Sequence, residues 1–483
     1  MGPRTPRVEA EPLLAATPGT VADTAVRLYS TRWWVLFQLS FLSFNQSLFW
    51  ISFSPVTDNA CTFFGVTEAT VTWWMNIGVL AAIVAFPFTS KGLAARGDGL
   101  KLVCTASVLA QAVAMVGRLL PLWIGGQWGP KSFFANVVIY VAQFIVGVVG
   151  PMVMSAPPLL SNVWFAPEER ASATAIGYLC NNLGSAGGFL LGPLLVKSAS
   201  DIPLLLYAHA AIAVANAMLL LAYFPAAPPL PPSHSAGAER GAAAASAGGQ
   251  GAFGGVGAVL TNVNFLTIAF GFGTLNGVFN VWSGSFDEIL KPLGPEYDQA
   301  TCGWLGFGST MAMIVGGILT GFVIDHPPWN RCFASLLRVG SAATFGMMAL
   351  FTVAMPTCFS KSPLLHLPFW AIAGLIVSSG LTLGMCTPIA FEAAAEMTFP
   401  TPESTSANVI VLILNVASFI YLFVTPPLID RDVLNLVVSG CAAFALGLVL
   451  LTRVPYVRAN YERDHEGPGK PRGALTTGQI QVP

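Results

Sequence analysis

Residues 225–250 read PAAPPLPPSHSAGAERGAAAASAGGQ, and this stretch divides the chain. Proline, alanine, glycine and serine at this density give a segment without a core of its own, so it reads as a flexible linker. On either side the composition changes abruptly. Upstream, apolar runs of membrane-spanning length fall near 33–54, 70–89, 102–122, 134–160, 172–196 and 203–224. Downstream they fall near 263–284, 302–324, 333–354, 368–390, 405–425 and 434–452. A hydrocarbon core about 30 Å thick needs about 20 apolar residues per helix, so the expectation is six spans, a linker and six more.

Composition agrees. Over 483 residues, 54% are hydrophobic and 9% charged, whereas a soluble domain carries roughly 25% charged residues to wet its surface. Most of the outside must therefore face lipid. A net charge of −1 argues against a nucleic-acid partner. The expected units are an N-tail over 1–32, a six-helix bundle over 33–224, the linker over 225–258, a second bundle over 259–452 and a C-tail over 453–483. No apolar signal region precedes Trp33.

Orientation follows from cations. With both termini cytosolic, the inner segments hold 16 of the 22 Lys and Arg, and Arg118, Lys131, Lys197, Lys291, Lys361 and Arg431 lie outside. The positive-inside rule selects this arrangement, and an odd number of spans would break it. A repeat supports two copies of one unit. FAPEERASA (165–173) matches FPTPESTSA (399–407), and Asn45/Asn276, Trp50/Trp282 and Asn182/Asn415 recur at nearly the same separation. In carriers built from parallel repeats the substrate site lies at mid-depth between the halves.

Amides inside lipid need partners or a wet cavity. The first run holds Asn45, Gln46 and Trp50, and the seventh holds Asn276, Asn280 and Trp282. These amides pin helices together or line a chamber; Trp50, Asn182, Asn280, Trp282 and Asn415 are the expected lining, because a tryptophan face attracts cations and stacks on flat rings. Glu392 and Glu396 stand four residues apart on one helix face. They read either as a proton-coupling pair or as a gate at the inner helix end, held by Arg338 or backbone amides. Asp287, at the outer end of the seventh run, is a further gating candidate. His209 reads as a packing residue rather than a proton relay.

No enzyme signature is present: HExxH, a P-loop and GxSxG are all missing. The eight cysteines show no CxxC or Cys/His ligand spacing, so neither metal nor cofactor is expected. They read as free thiols; a disulfide among Cys61, Cys302 and Cys358 is the less favoured alternative. Without a nucleotide site, a gradient must drive any transport.

The run PPLLSNVWFAPEERASATAIGYLCNNLGSAGGFLLGP (157–193) resembles the fourth-span exit and fifth helix of FLVCR-type transporters of the major facilitator superfamily, and PIAFEAAAEMTFPTPESTSA (388–407) resembles their tenth-helix exit. WSGSFDEILKP (282–292) with GWLGF (303–307) is most similar to the disrupted-in-renal-carcinoma branch, and LFWISFSPV (48–56) to a third branch. The resemblance implies an all-α membrane protein of twelve transmembrane helices in two pseudo-symmetric six-helix bundles. It also implies alternating-access transport of a small organic metabolite: choline, ethanolamine, haem for export, or pyridoxine with protons. A non-transporting receptor on the same scaffold is the alternative. Trp50 matches the tryptophan of the family's choline cage, whereas Asn280 replaces its tyrosine and Asn182 and Asn415 replace its two glutamines. That change favours a flat, hydrogen-bonding solute. The superfamily's loop after helix two is degenerate in KGLAARGDGLK (91–101), where Arg96 and Asp98 are left as gating residues. Glu9 to Leu14 (EAEPLL) forms an acidic dileucine that adaptor proteins read, which places the protein in an endolysosomal or plasma membrane.

Overall fold

A computed structural model describes residues 26–93, 99–237, 254–283, 286–290, 293–297, 299–357, 360, 362–401, 403–421 and 431–465. Twelve long helices occupy these residues: α1 (Thr31–Trp50), α2 (Glu68–Leu93), α3 (Gly99–Gly117), α4 (Phe133–Trp164), α5 (Arg170–Leu195), α6 (Ile202–Ala222), α7 (Val263–Ser283), α8 (Gln299–Ile324), α9 (Phe333–Val353), α10 (Phe369–Thr398), α11 (Glu403–Phe419) and α12 (Arg431–Leu451). A thirteenth, α13 (Val457–His465), follows. The one β feature among the described residues is an isolated bridge between Thr357 and Ser360. An all-helical fold is what hydrocarbon demands, since a helix satisfies its backbone groups internally.

Eight of these helices are long and apolar enough to cross a membrane, and α11 and α12 are shorter apolar helices. The remaining two, α1 and α5, are richer in polar residues, among them Gln38, Asn45 and Gln46 in α1 and Arg170, Asn181 and Asn182 in α5. Local chemistry sets several boundaries. The Ser132 hydroxyl caps α4 by accepting from the Ala135 amide at 3.1 Å. Asp201 and Ser198 form a capping box just before α6. Trp304 and Trp370, 65% and 75% exposed, belong to an apolar outer surface suited to lipid.

Helices α1–α6 pack together, as do α7–α12. Within each half glycines bring helix backbones into contact. A Cβ at Gly184 on α5 would overlap the Phe44 carbonyl oxygen of α1, and one at Gly277 on α7 would overlap the Leu414 carbonyl oxygen of α11. Such close approach is how helices associate where burial in lipid gives no net drive. Between halves, α5 meets α8 and α10, and α11 meets α2 and α4.

One end of the molecule, here the near face, carries the start of α1, the end of α12 and α13. It departs from the sequence expectation in two places. Part of the linker is packed: Ser233, Ser235 and Ala236 are buried, and the Pro231 carbonyl accepts from the Arg27 amide at 3.1 Å. Part of the C-tail is a docked helix, because the side chains that α13 buries, Arg458 and Glu462, are charged and leave no mark in an apolar pattern.

Substituting Gly184 by leucine should overpack the α1–α5 contact and destabilise the protein by about 1–3 kcal/mol. Thermal unfolding of the purified protein in detergent measures it; an unchanged midpoint would mean that the helices do not approach this closely.

Candidate functional site

The residues expected to carry function divide into three groups. Trp50 is the last residue of α1 and half-buried; its carbonyl, which has lost its helical partner, accepts from Gln143 Nε2 at 3.2 Å. Asn182 on α5 is half-buried. Its neighbour Asn181 pins α5 to α1, donating to the Ser43 carbonyl at 3.0 Å and accepting from Ser47 Oγ at 2.7 Å. That leaves Asn182 on the next position around the helix. In the other half Asn280 is exposed and donates to Asn276 Oδ1 at 3.0 Å. Asn276 is itself buried, and its Nδ2 has no partner among the described residues. Asn415 is buried and donates back to the Val411 carbonyl of its own helix at 2.8 Å.

The second group is packing. Trp282, expected in the chamber lining, is 1% exposed. Its ring lies 4.7 Å from Phe286, 5.1 Å from Phe351 and 5.6 Å from Phe279 by centroids, and its Nε1 donates to Asn435 Oδ1 at 3.3 Å. An indole enclosed by three rings, with its one donor used, presents nothing to a solute. Gln46 likewise closes a network within the first half, donating to the Val146 carbonyl at 2.7 Å and accepting from Gln111 Nε2 at 2.8 Å. Asn45 is fully buried, and neither of its amide atoms has a partner among the described residues.

The third group closes the near face. Glu392 and Glu396 lie on α10, but Arg338 does not hold them: its guanidinium donates to the Thr452 carbonyl at 2.7 Å. The partner is Arg458 of α13. Its Nη2 donates to Glu392 at 2.6 Å, its Nε to Glu396 at 3.2 Å and its Nη1 to Glu403, the first residue of α11. The Ala459 amide adds a bond to Glu396 at 3.1 Å. All four side chains are buried. Burial works against the charge of Arg458, but Glu403, Glu392 and Glu396 outweigh it and hold the guanidinium protonated.

Other bonds at this end cross between halves. Glu392 also accepts from Thr174 of α5 at 3.3 Å. The Asp325 carboxylate, just past α8, accepts from the Ala171 and Ser172 amides at 3.0 and 2.9 Å and from Ser172 Oγ at 2.5 Å. An anion at the first turn of α5 suits the helix dipole. Burial nevertheless raises the Asp325 carboxyl to about 7, with the bonds from Ser172 opposing and the nearby charge of Glu392 reinforcing the rise. Arg170 of α5 lies 3.7 Å from Glu462 of α13 and donates to Ser233 at 2.5 Å and Ser235 at 3.2 Å. Apolar contacts accompany these, among them Tyr178 of α5 at 5.0 Å from Phe391 of α10.

Sequence reasoning found Glu392 and Glu396 but missed Arg458, Glu403, Arg170 and Asp325 as chemistry. Arg170 and Glu403 stand inside the repeated motifs, where they counted only as markers. Gly321 and Asp325 stand four residues apart at the end of the eighth helix. Arg96 and Asp98, the side chain of Asp287 and the Glu9–Leu14 motif lie outside the described residues.

The model of the Major Facilitator Superfamily matches residues 35–420. The Solute carrier family 49 member 4 homolog of Xenopus tropicalis is 31% identical over 477 residues, covering 93% of this chain and 96% of that protein. The Choline/ethanolamine transporter FLVCR1 of Felis catus is 25% identical over 416 residues, covering 84% of this chain and 69% of that one. Among solved structures, the proton:xylose symporter XylE bound to 6-bromo-6-deoxy-D-glucose superposes with a TM-score of 0.65 at 12% identity, over 89% of this chain and 100% of that one, a likeness of fold. The chain therefore belongs to the Major Facilitator Superfamily, among its FLVCR-type and solute carrier 49 members, and is a multi-pass membrane transporter rather than an enzyme.

Proposed function

We propose that this transporter carries a small organic metabolite, an amine such as choline or ethanolamine or a flat vitamin such as pyridoxine, by alternating access. The observation that carries this reading is the asymmetry of closure. Polar and apolar contacts tie α5, α10 and the end of α8 together at the near face, while Trp50, Asn182 and Asn280 keep part of their surface open. On this reading the near face is cytosolic, as the cation distribution suggests, and the structure is a state open to the other side. The solute stacks on Trp50 and bonds to Asn182 and Asn280, with Asn276 orienting Asn280 and Asn415 completing the wall after a rotamer change. Choline and ethanolamine enter through the name of the Felis catus relative, and the asparagines, which offer donors and acceptors together, favour a hydrogen-bonding solute. The residues 33–224 and 259–452 are the two moving units. The dileucine, read by adaptors, directs the protein to endolysosomal or plasma membrane.

Proton coupling enters through Asp325 and its neighbour Glu392. In the closed state the Asp325 carboxyl titrates at about 7; opened to water it returns toward the ordinary value of about 3.9. The closed state thus binds the extra proton. Its proton-linked stabilisation is complete below about 3.9 and is lost as pH rises through about 7.

Two measurements test this reading. Trp50→Ala should weaken binding of the transported solute by roughly tenfold or more without lowering the yield of folded protein; unchanged affinity for choline, ethanolamine and pyridoxine alike would remove Trp50 from the site. Hydrogen exchange at the Ala171 and Ser172 amides, corrected for intrinsic rate, should accelerate from about pH 5 to about pH 8, and Asp325→Asn should flatten that dependence. An unaltered profile in the variant would assign the dependence to another group.

A further inference from the structure

The near-face network places the three nitrogens of one guanidinium on three different carboxylates: Nη2 on Glu392, Nε on Glu396 and Nη1 on Glu403. These carboxylates come from the last turns of α10 and the first residue of α11, so they are part of the membrane bundle. The cation comes from α13, a helix beyond it. The bundle thus supplies a socket and the tail supplies its occupant.

Two further features indicate that the socket does more than tether a tail. Among the described residues four carboxylates, Glu392, Glu396, Glu403 and Glu462, share two arginines, Arg170 and Arg458. One acceptor is also unused, since Glu403 is 2% exposed and its Oε2 has no hydrogen-bond partner among the described residues. A buried carboxylate oxygen without a donor is costly, so the socket favours an occupant that can bring another N–H group to it. The geometry narrows the class. Among the described residues no three acidic, His or Cys side chains converge closely enough to hold a metal ion. Spread acceptors of this kind suit a planar cation with N–H groups pointing in several directions, as a guanidinium has and a compact ammonium has not.

We propose that Glu392, Glu396 and Glu403 form a cation-binding site at the near-face mouth, filled in this state by the chain's own Arg458 and open to exchange with a free guanidinium-type cation. Exchange releases α13 from the bundle, and with it the Glu462–Arg170 pair that joins the tail to the opposite half. The site is therefore both a receptor for planar cations and the point at which such a cation loosens the near-face closure. It rests on the transport reading only in taking the near face as one mouth of the carrier; binding itself requires no flux.

The test uses the full-length protein in lipid nanodiscs and free guanidinium chloride as the probe, with sodium chloride and tetramethylammonium chloride at equal ionic strength as controls. Millimolar guanidinium should accelerate hydrogen exchange across α13, including the Ala459 amide bonded to Glu396, and neither control should. A tethered side chain competes at an effective concentration on the order of millimolar, so Arg458→Ala should bind labelled guanidinium roughly tenfold or more tightly than the wild type, and adding Glu403→Gln should abolish the gain. Because Arg458→Ala leaves three buried acids without their cation and could fail to fold, Arg458→Lys provides a second variant: its ammonium reaches fewer carboxylates, and guanidinium should displace α13 at lower concentration. Exchange in α13 that is indifferent to guanidinium in both the wild type and Arg458→Lys, or an equal response to tetramethylammonium, would overturn the proposal. Displacement by guanidinium in a protein that moves none of choline, ethanolamine and pyridoxine would leave the site standing and remove the transport reading.

Discussion

The structure depends on one burial: the Arg458 guanidinium, enclosed with three carboxylates where water is largely excluded. Each of these charges is costly alone, and removing one partner from such a set strands the others, at about 3–5 kcal/mol. The cost disappears if the whole set is exposed together. A buried ion network at a mouth is therefore a two-position device, stable when fully assembled or fully wet and unstable between. That bistability is what a gate requires. It also explains why α10 continues past the bilayer-length stretch that its apolar run suggested, to Thr398, carrying Glu392 and Glu396 down to the level of α13.

The two halves are alike in architecture and unlike in closure chemistry. At the α5 terminus a carboxylate, Asp325, comes across from the end of α8 and caps two amides. At the α11 terminus the acid is internal, Glu403, and the cation comes from the tail. The repeat in the sequence thus produced one closure across the halves and one through α13. The degenerate loop after α2, where Ala95 stands near the superfamily's acidic position and Asp98 follows three residues on, belongs to the half that lacks a described counterpart of Asp325.

The fold was legible because lipid imposes a single strong pattern: runs of about 20 apolar residues broken by loops. Every long helix lies on a run recognised from composition, and most ends agree within a few residues, the inner end of α10 being the largest departure. The site was legible only where residue type and depth coincide. Trp50 and Asn280 differ from Trp282 and Gln46 in nothing that composition reveals; they differ in whether neighbouring helices bring rings and carbonyls to meet them, which is a tertiary property. Arg458 was hidden for a related reason. A helix that buries an arginine and a glutamate has no apolar stripe, so α13 reads as a solvated tail. The pairing that gives it purpose spans 55 to 66 residues of chain.

The central claim is that a polar chamber opens to the far side while the near face is shut by this network. The most direct measurement is side-specific thiol labelling of Asn182→Cys and Asn280→Cys in a cysteine-free background, in sealed vesicles of known orientation. Membrane-impermeant reagent should modify both positions from the far side and neither from the near side while Arg458 is in place. Labelling from the near side, or none from either side because the positions face acyl chains, would contradict the account.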